Sequence, residues 1–299
     1  MALGLATLPA SSIDSSPEWP PLGFQMDIKS TGEAIAMKQQ QLLAQLRALP
    51  SVIVALSGGT DSAYLAWAAA QALGERALAV TAVSPSLPES ERQGVSEFVA
   101  AFRIRHEFIE TDELSNPRYV ANRYDRCYYC KDELFTKLDG LARARGIAAV
   151  AYGVNVDDQD DFRPGQRAAA EHRVLVPLLD ARLTKREIRE LSRGAGLPTW
   201  NKPAAACLAS RIMYGLTVTE ENLNQVERGE EAVRGLGFRQ IRVRYHGDLV
   251  RIEIAPEELP RALSSEMLAQ FVAIFKALGF KFVTLDLEGY RPGSFNPKR

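Results

Sequence analysis

Apolar residues along the chain alternate between short β-branched runs and longer stretches with helical spacing. The short runs predict buried strands at residues 52–56, 77–83, 107–109, 148–152 and 174–176. The helical spacing predicts helices at residues 33–49, 63–73, 131–145 and 185–193, with a further helix that begins near Glu89. Because strands and helices alternate, we expect a doubly wound α/β domain with a parallel sheet.

After about residue 216 the pattern becomes that of a smaller α+β domain. It predicts a helix at 220–236, strands at 239–245 and 249–254, a helix at 257–278 and a last strand at 282–287. His246-Gly247-Asp248, between the first two strands, is a hairpin signal. We therefore predict a flexible N-terminal tail (1–30), an α/β domain (31–215) and a C-terminal domain for substrate binding or oligomerisation (216–299).

The composition is that of an ordinary soluble globular protein and excludes several functions. The 299 residues are 46% hydrophobic and 24% charged, with a net charge of −1. A global basic field for nucleic acid is therefore absent, and no apolar run approaches the roughly 20 residues of a membrane span. With only three cysteines, a disulfide framework is not expected, and we predict a cytoplasmic protein.

The first predicted strand is joined to its helix by a short polar loop. The loop consists of Ser57, Gly58, Gly59, Thr60, Asp61 and Ser62. Its glycines let backbone N–H groups approach a ligand, and the helix start and the serine hydroxyls add donors, which together suit phosphate oxygens. The Walker A pattern is absent. Asp61 can serve phosphate only through a hard cation such as Mg²⁺.

This loop, Ser-Gly-Gly-x-Asp-Ser after a first strand, resembles the PP-loop of the ATP pyrophosphatase superfamily. The resemblance implies that the loop binds the β,γ-pyrophosphate of ATP. The α-phosphorus is then open to attack by a substrate oxygen, so that the substrate is adenylated and pyrophosphate leaves. The expected ligands are ATP and Mg²⁺, with Asp61 in a catalytic role.

The cysteines form a second candidate site. Cys127-Tyr128-Tyr129-Cys130 is a C-x-x-C pair, and Cys207 lies far downstream. A C-x-x-C pair occurs in redox centres, zinc half-sites and iron–sulfur proteins, and unrelated buried thiols are a further alternative. Three thiolates without an obvious fourth ligand favour a [4Fe–4S] cluster with one open iron, which could bind hydrosulfide or a substrate sulfur.

A closer resemblance covers roughly residues 35–295. The segments 201–211, 241–246 and 282–291 resemble the signature of the LarE-type sulfur transferases. That family adenylates pyridinium-3,5-biscarboxylic acid mononucleotide and replaces AMP with sulfur, in assembly of the nickel-pincer cofactor of lactate racemase. The resemblance implies this substrate, a sulfide or other sulfur donor, and a homo-hexamer built as a dimer of trimers.

Members of the family supply the sulfur in two ways. Some sacrifice a cysteine of the segment 201–211, called the Asn-Lys segment here because it opens with Asn201-Lys202. Others hold three cysteines and resemble [4Fe–4S]-dependent sulfur insertases. This chain has the three-cysteine pattern, and Ala206 stands where the sacrificial cysteine is expected. Cys127, Cys130 and Cys207 are therefore predicted to meet beside the loop as ligands of one cluster. Whether sulfur comes from the cluster or from Cys207 remains open at this point.

Further residues are candidates for binding the substrate. Arg242 and Arg244 lie two apart on a predicted strand, so both point to one face and can bind the phosphate of a mononucleotide. The other candidates are Ser210 and Arg211 in the same pocket, Lys131 as a catalytic cation beside ATP or the carboxylate, and Glu230 or Glu253 toward substrate or metal.

Two other functions remain as alternatives. A tRNA thiolase can also combine this loop with three cysteines, but it needs a basic RNA-binding surface, which the net charge of −1 does not favour. A non-catalytic nucleotide- or metal-binding module is disfavoured by the intact loop. The acidic run Asp157–Asp161 is either a solvated loop or a metal-organising segment, and Arg163 beyond it could contact a phosphate.

Overall fold

A four-stranded parallel sheet forms the centre of the N-terminal part of the molecule. The computed structural model describes residues 28–159, 164–203, 206–291 and 295. The strands are β1 (Val52–Ala55), β2 (Ala77–Val83), β3 (His106–Glu110) and β4 (Ala149–Tyr152), in the order β3-β2-β1-β4. Their parallel pairing and their alternation with helices confirm the predicted doubly wound α/β class.

Helices cover both faces of this sheet. They are α1 (Ile28–Arg47), α2 (Thr60–Leu73), α3 (Glu89–Ala101), α4 (Pro117–Val120), α5 (Arg126–Arg145), α6 (Pro164–Glu171), α7 (Pro177–Asp180) and α8 (Lys185–Gly194). Val52 and Val54 of β1 pack into the core shared with α1, α2 and α8, whereas Ile53 and Ala55 pack into the core shared with α5 and α6. Because successive side chains of a strand point to opposite faces, one apolar run supplies both cores.

A second, three-stranded sheet forms in the C-terminal part. Its elements are α9 (Glu220–Gly235), β5 (Ile241–His246), β6 (Leu249–Ile254), α10 (Leu259–Ala262), α11 (Ser265–Ala277) and β7 (Phe282–Leu285). The order is β5-β6-β7, with β5 antiparallel and β7 parallel to β6. The predicted hairpin is confirmed: its two-residue turn is Gly247-Asp248, and Gly247 has a φ of +74°.

The core of this second sheet also draws on residues that precede position 216. Tyr119, Leu208 and Ile212 pack with the apolar side chains of α9, α11 and the sheet. The connection after α8 is therefore part of the C-terminal core as well as a link between the two sheets. The domain boundary at 215–216 stays a prediction.

Most predicted elements differ from the structure by at most three residues at either end, and four differ more. The predicted strand at 174–176 is wrong: Leu175 makes a single parallel bridge to Ala151, because Pro177 starts α7 two residues later. The predicted helix at 257–278 is interrupted at residues 263–264, where Ser264 caps α11 by accepting a hydrogen bond from the N–H of Met267 (3.3 Å).

The other two differences are helix starts. Helix α1 begins at Ile28, five residues before the predicted start, so it takes in the last three residues of the predicted tail. Residues 1–27 of that tail lie outside the described residues. Helix α5 begins at Arg126 rather than near Lys131, which places both cysteines of the C-x-x-C pair in its first turns. Among the helices described, none has the length and apolarity that crossing a bilayer requires.

Candidate active site

The polar loop between β1 and α2 lies at the carboxyl edge of the parallel sheet. Gly58 has a φ of +76°, and a Cβ there would meet the Val95 side chain at 2.9 Å, so this position requires glycine. The hydroxyls of Ser57 and Ser62 are 3.0 Å apart, and Ser62 Oγ donates to the carbonyl of Gly59 (3.1 Å). The first turn of α2 therefore directs its N–H groups and these hydroxyls toward the same space.

Asp61 lies in the first turn of α2 and contacts residues from two other elements. Its carboxylate forms an ion pair with Lys185 Nζ at the start of α8 (2.5 Å) and accepts a hydrogen bond from Asn155 Nδ2 (3.3 Å). Gly153 lies close to the same turn, because a Cβ there would be 2.8 Å from the backbone nitrogen of Ser62. The segment after β4 and the start of α8 thus converge on the loop.

The described part of the acidic run has backbone-capping roles. Asp157 Oδ2 accepts a hydrogen bond from the backbone N–H of Lys185 (2.6 Å). Asp158 and Asn155 form a reciprocal capping box around a short 3₁₀ turn. Asp160, Asp161 and Arg163 lie outside the described residues. The carboxylate of Asp157 therefore holds the chain after β4 against α8, and that of Asp158 caps the turn itself.

A second lysine also contacts the loop. Lys202 Nζ donates to the carbonyl of Gly58 (3.0 Å) and pairs with Glu91 on α3 (2.6 Å). Sequence reasoning missed Lys185, Lys202 and Glu91 as site residues, since each lies 29 or more positions from the loop. Lys202 alone had a usable signal, because it belongs to the Asn-Lys segment.

A cavity of about 220 Å³ opens behind the loop. Ser57, Ser62 and Gly153 lie on its wall, and so do Lys131, Cys130 and Cys207. The structure therefore brings the loop and two of the three cysteines together on one cavity. Lys131 follows Cys130 on α5, and its ammonium group lies 5.9 Å from the ring centroid of Phe135.

The three thiols lie within electrostatic range of one another. Cys127 is exposed, but desolvation by the surrounding chain still raises its pKa above the ordinary value, and the charge of Cys207 raises it further. Burial raises the pKa of Cys130 to about 12. In the part of the chain that the structure describes, however, no three His, Cys, Asp or Glu side chains are placed to hold a single metal ion.

A buried guanidinium group lies beside the thiols. Arg126 is 3% exposed, and its Nη1 donates to Asn122 Oδ1 and to the carbonyl of Ala209 (2.8 Å). None of the described carboxylates lies within salt-bridge distance of it. Burial alone would lower the pKa of Arg126, but the charges of Cys207 and Cys127 raise it above its ordinary value. A buried cation without a carboxylate partner favours thiolates next to it.

The predicted phosphate-binding residues lie near one another, on the segment that carries Cys207 and on the adjacent strand β5. Ser210 and Arg211 lie in a 3₁₀ turn directly after the cysteine. Arg244 Nη1 donates to the carbonyl of Ser210 (3.3 Å), and Arg211 Nη1 donates to the carbonyl of Cys207 (3.0 Å). Arg242 and Arg244 are both buried on β5, and Arg242 lies over the ring of Tyr290 (5.1 Å).

The two glutamates that the sequence proposed for substrate or metal bind these arginines. Arg211 Nε pairs with Glu230 (2.9 Å), and Arg244 Nη2 pairs with Glu253 (2.8 Å), both pairs being almost fully buried. Burial would raise the pKa of Glu230, but the neighbouring arginines, Arg211 above all, more than offset it, so that this pKa is lowered. Both carboxylates are therefore charged partners of arginines and hold them in place.

Fold and site together define a class of protein. A doubly wound α/β domain carries a glycine-containing loop at the carboxyl edge of its sheet, which is where such folds bind ligands. Thiols face the same cavity, so the class is an α/β protein with a glycine-containing loop and two cysteines on one cavity.

Comparison with known proteins identifies the family. Pyridinium-3,5-bisthiocarboxylic acid mononucleotide synthase of Lactiplantibacillus plantarum is 35% identical to this chain over 266 residues, which cover 88% of this chain and 95% of that protein. The chain therefore belongs to the family of this synthase, which confirms the LarE-type assignment made from the sequence motifs. No family model matches the chain.

Two uncharacterized proteins are also similar. One, from Synechocystis sp., is 44% identical over 248 residues, covering 83% of this chain and 92% of the relative. The other, from Methanocaldococcus jannaschii, is 28% identical over 240 residues, covering 80% of this chain and 90% of the relative. The similarity thus extends over most of the length of each protein.

Proposed function

We propose that this protein is an ATP-dependent sulfur insertase that acts on pyridinium-3,5-biscarboxylic acid mononucleotide. The observation that carries the proposal is the shared cavity, in which the loop serines, Lys131 and two cysteines face one space. A site that activates a carboxylate with ATP and then delivers sulfur needs these two sets of groups side by side. The membership of the synthase family supports the same substrate, whereas a tRNA thiolase and a non-catalytic module are not favoured.

The first half-reaction joins the substrate carboxylate to AMP. A carboxylate oxygen attacks the α-phosphorus of ATP, the bond to the β-phosphate oxygen breaks, and pyrophosphate leaves. In this proposal the N–H groups at the start of α2, together with Ser57 and Ser62, bind the β- and γ-phosphates and stabilise the departing charge. Asp61 would hold Mg²⁺, which neutralises charge on the phosphates.

The two lysines at the loop add positive charge where pyrophosphate develops. Lys185 pairs with Asp61, and Lys202 contacts the carbonyl of Gly58. Both ammonium groups are partly exposed, so they can turn from these partners to phosphate oxygens at small cost. Lys131 also lines the cavity, and in this arrangement it lies beside the α-phosphate of ATP and the substrate carboxylate.

The second half-reaction replaces AMP with sulfur. A hydrosulfide attacks the acyl carbon and AMP leaves with the bonding electron pair, which yields a thiocarboxylate. Cys127, Cys130 and Cys207 would hold a [4Fe–4S] cluster, which would supply sulfide for this chemistry. The donor set fits such a group. The three thiols lie within electrostatic range of one another, and beside them is the buried guanidinium of Arg126, which has no carboxylate partner among the described residues.

The substrate phosphate is assigned to the arginine cluster. The described guanidinium groups of this cluster are Arg211, Arg234, Arg242, Arg244, Arg251 and Arg291, and the carboxylates that pair with members of the cluster are Glu230, Glu253, Asp286 and Glu288. Cations exceed anions in this set, so the cluster favours an added anion. Ser210 and Arg211 lie three and four positions after Cys207, which would place the substrate phosphate one short turn from the thiols.

The assembly is proposed to be a homo-hexamer, built as a dimer of trimers. Leu268 and Val272 are exposed one turn apart on α11, and Phe282 is exposed at the start of β7. Exposed apolar side chains of this kind are typical of contacts between subunits. We propose that a second copy of the chain covers these exposed side chains.

One set of measurements tests the function. Protein purified without oxygen is analysed for its absorption spectrum, iron and acid-labile sulfide, and is then incubated with ATP, Mg²⁺ and the pyridinium mononucleotide. We expect iron and sulfide in a ratio near one, pyrophosphate release that depends on the substrate, and an unchanged chain mass. Dehydroalanine at position 207, seen as a loss of about one H₂S, would instead assign the sulfur to Cys207, and full activity of Cys127→Ala and Cys130→Ala would reject the cluster.

A further inference from the structure

The cavity behind the loop is lined by a buried carboxylate that the proposed reaction does not use. Glu113 follows β3, is 4% exposed and lines the cavity. Its Oε1 accepts a hydrogen bond from Ser84 Oγ (2.5 Å), and Ser84 directly follows β2. In the described part of the chain, no lysine, arginine or histidine lies within salt-bridge distance of this carboxylate.

A buried carboxylate with incomplete hydrogen bonding lowers the stability of the protein unless a ligand supplies the missing donor. An ionised carboxylate only accepts hydrogen bonds, and it has two oxygens for this purpose. Ser84 donates to one oxygen, and no described group donates to the other. Because removal of a carboxylate from water without full hydrogen bonding is unfavourable, the second oxygen favours a donor that arrives with a ligand.

The position of Glu113 indicates which ligand brings that donor. The cavity is polar at the loop, where Ser57 and Ser62 lie, and polar again at Glu113. Val80 and Ala82 of β2, the strand that lies between β1 and β3, line the cavity, and so does Leu134 of α5. A nucleotide whose phosphates lie on the loop places its nucleoside in this space, and strand ends of a parallel sheet are where acidic side chains bind ribose hydroxyls in dinucleotide-binding folds.

We infer that Glu113, oriented by Ser84, accepts a hydrogen bond from the nucleoside part of ATP and is a specificity-determining residue for the nucleotide. The donor is either a ribose hydroxyl or the 6-amino group of adenine, and both are hydrogen-bond donors that a carboxylate recognises. This inference rests on the proposed function, because it assumes that ATP binds at the loop.

The test compares ATP with three analogues that each lack one donor. Binding of ATP, 2′-deoxy-ATP, 3′-deoxy-ATP and purine riboside triphosphate is measured by calorimetry, with Mg²⁺ present, on the full-length protein and on Glu113→Gln. Glu110→Gln is the matched control, because Glu110 ends β3, is exposed and receives the same change of charge. Circular dichroism and the unfolding midpoint establish that the variants are folded.

We expect the wild-type protein to bind one analogue at least about tenfold more weakly than ATP, which is the factor that a hydrogen bond to a charged group contributes. In Glu113→Gln, ATP binding falls by a similar factor and the preference over that analogue falls below threefold, whereas Glu110→Gln behaves like wild type. A loss with both deoxynucleotides assigns the ribose, and a loss with the purine analogue assigns the 6-amino group.

Two results would overturn the inference while leaving the proposed function intact. One is a wild-type protein that binds ATP and all three analogues equally, which needs no variant at all. The other is a Glu113→Gln protein that retains the full wild-type preference, or that loses affinity for all four nucleotides by the same factor, as a purely structural role predicts. Failure of the proposed function has a different result, namely no binding of any of the four nucleotides by the wild-type protein.

Discussion

At the scale of single residues, charged side chains of the site form two kinds of pair. The pair of Asp61 and Lys185 is partly exposed at the loop, so solvent screens it and its partners can exchange. The pair of Arg244 and Glu253 is buried, and Glu253 has no exposed surface. A buried charge depends on its partner far more than an exposed one does. Mutation of the exposed pair should therefore affect mainly activity, and mutation of the buried pair should lower the free energy of unfolding.

Asp61→Asn should leave the protein folded and abolish pyrophosphate release. The ion pair that it removes is partly exposed and contributes little to stability, whereas the carboxylate is the proposed ligand of Mg²⁺. Thermal unfolding and a pyrophosphate assay over a range of Mg²⁺ concentrations check this. Wild-type rates of release from the variant would contradict the role of Asp61.

Arg244→Ala should lower the free energy of unfolding by about 3 kcal/mol, because it leaves Glu253 buried with less compensation. Arg251 still pairs with the other oxygen of Glu253 (2.8 Å), which keeps the loss at the lower end for buried pairs. Denaturant unfolding measures the change. The double variant Arg244→Ala/Glu253→Gln should recover part of the stability, and an equal loss in both variants would contradict this explanation.

The phosphate role of these arginines gives a separate prediction. Arg242→Ala and Arg244→Ala should each weaken binding of the pyridinium mononucleotide by tenfold or more, since a charge-assisted contact is lost, and leave ATP affinity nearly unchanged. Calorimetry with each ligand distinguishes this from a general effect. Equal loss of affinity for both ligands would indicate that the arginines act only in the packing of β5.

At the scale of elements, α5 carries the cysteine pair and α6 packs against it. Gly165 of α6 lies so close to α5 that a Cβ would meet Lys131 Cγ at 2.8 Å. The residue after α6, His172, places one ring nitrogen on Asp139 (2.7 Å) and the other on Asp132 (3.0 Å), both on α5. Only the imidazolium form can donate to both carboxylates, so the charge of this histidine holds the two helices together.

The pH dependence of stability should show this contact. Burial lowers the pKa of His172, but the hydrogen bonds to Asp139 and Asp132 more than offset it, so the pKa in the folded protein lies above the ordinary 6.5. The contribution is therefore complete below about pH 6.5 and is lost as the pH rises through the higher folded-state pKa.

The check is the difference in unfolding free energy between wild type and His172→Gln, measured by denaturant unfolding at several pH values. We expect the difference to be largest at acid pH and to shrink with rising pH. A difference that is constant with pH, or that grows, would show that His172 is neutral in the folded protein. Asp139→Asn serves as a companion variant that removes the shorter of the two contacts.

At the scale of the whole molecule, the two sheets share the segment that follows α8. This segment carries Lys202 at the loop, Cys207 at the cavity, and Leu208 and Ile212 in the C-terminal core. The placement of the cysteine is therefore set by the packing of the C-terminal core. Beyond this core, α11 and β7 present their exposed apolar side chains to solvent in the single chain.

Val272→Glu should reduce the mass of the assembly, because it places a charge on the apolar face that a second copy is proposed to cover. Ala273→Glu is the control: it is exposed on the same helix, about a quarter of a turn away, and introduces the same side chain. Sedimentation velocity measures both. A smaller species with Val272→Glu alone is the expected result, and unchanged mass in both variants would place the contact elsewhere.

The sequence by itself determined the elements that depend on local pattern. The strand 77–83 has the predicted bounds, and the loop from Ser57 to Ser62 was found because its glycines and hydroxyls are adjacent in the chain. The cysteine pair and the arginine pair of β5 were likewise visible as short-range spacings. These features follow from backbone geometry over a few residues, which a single sequence records directly.

Only the tertiary structure decided which distant residues meet. Lys185, Lys202 and Glu91 reach the loop from 29 or more positions away, and Glu113 reaches the cavity because β2 and β3 end side by side. Glu230 and Glu253, which the sequence left open as ligands of substrate or metal, are partners of arginines in the folded chain. The physical reason is that burial, not residue type, decides whether a charge needs a partner inside the protein, and burial is a property of the packed chain.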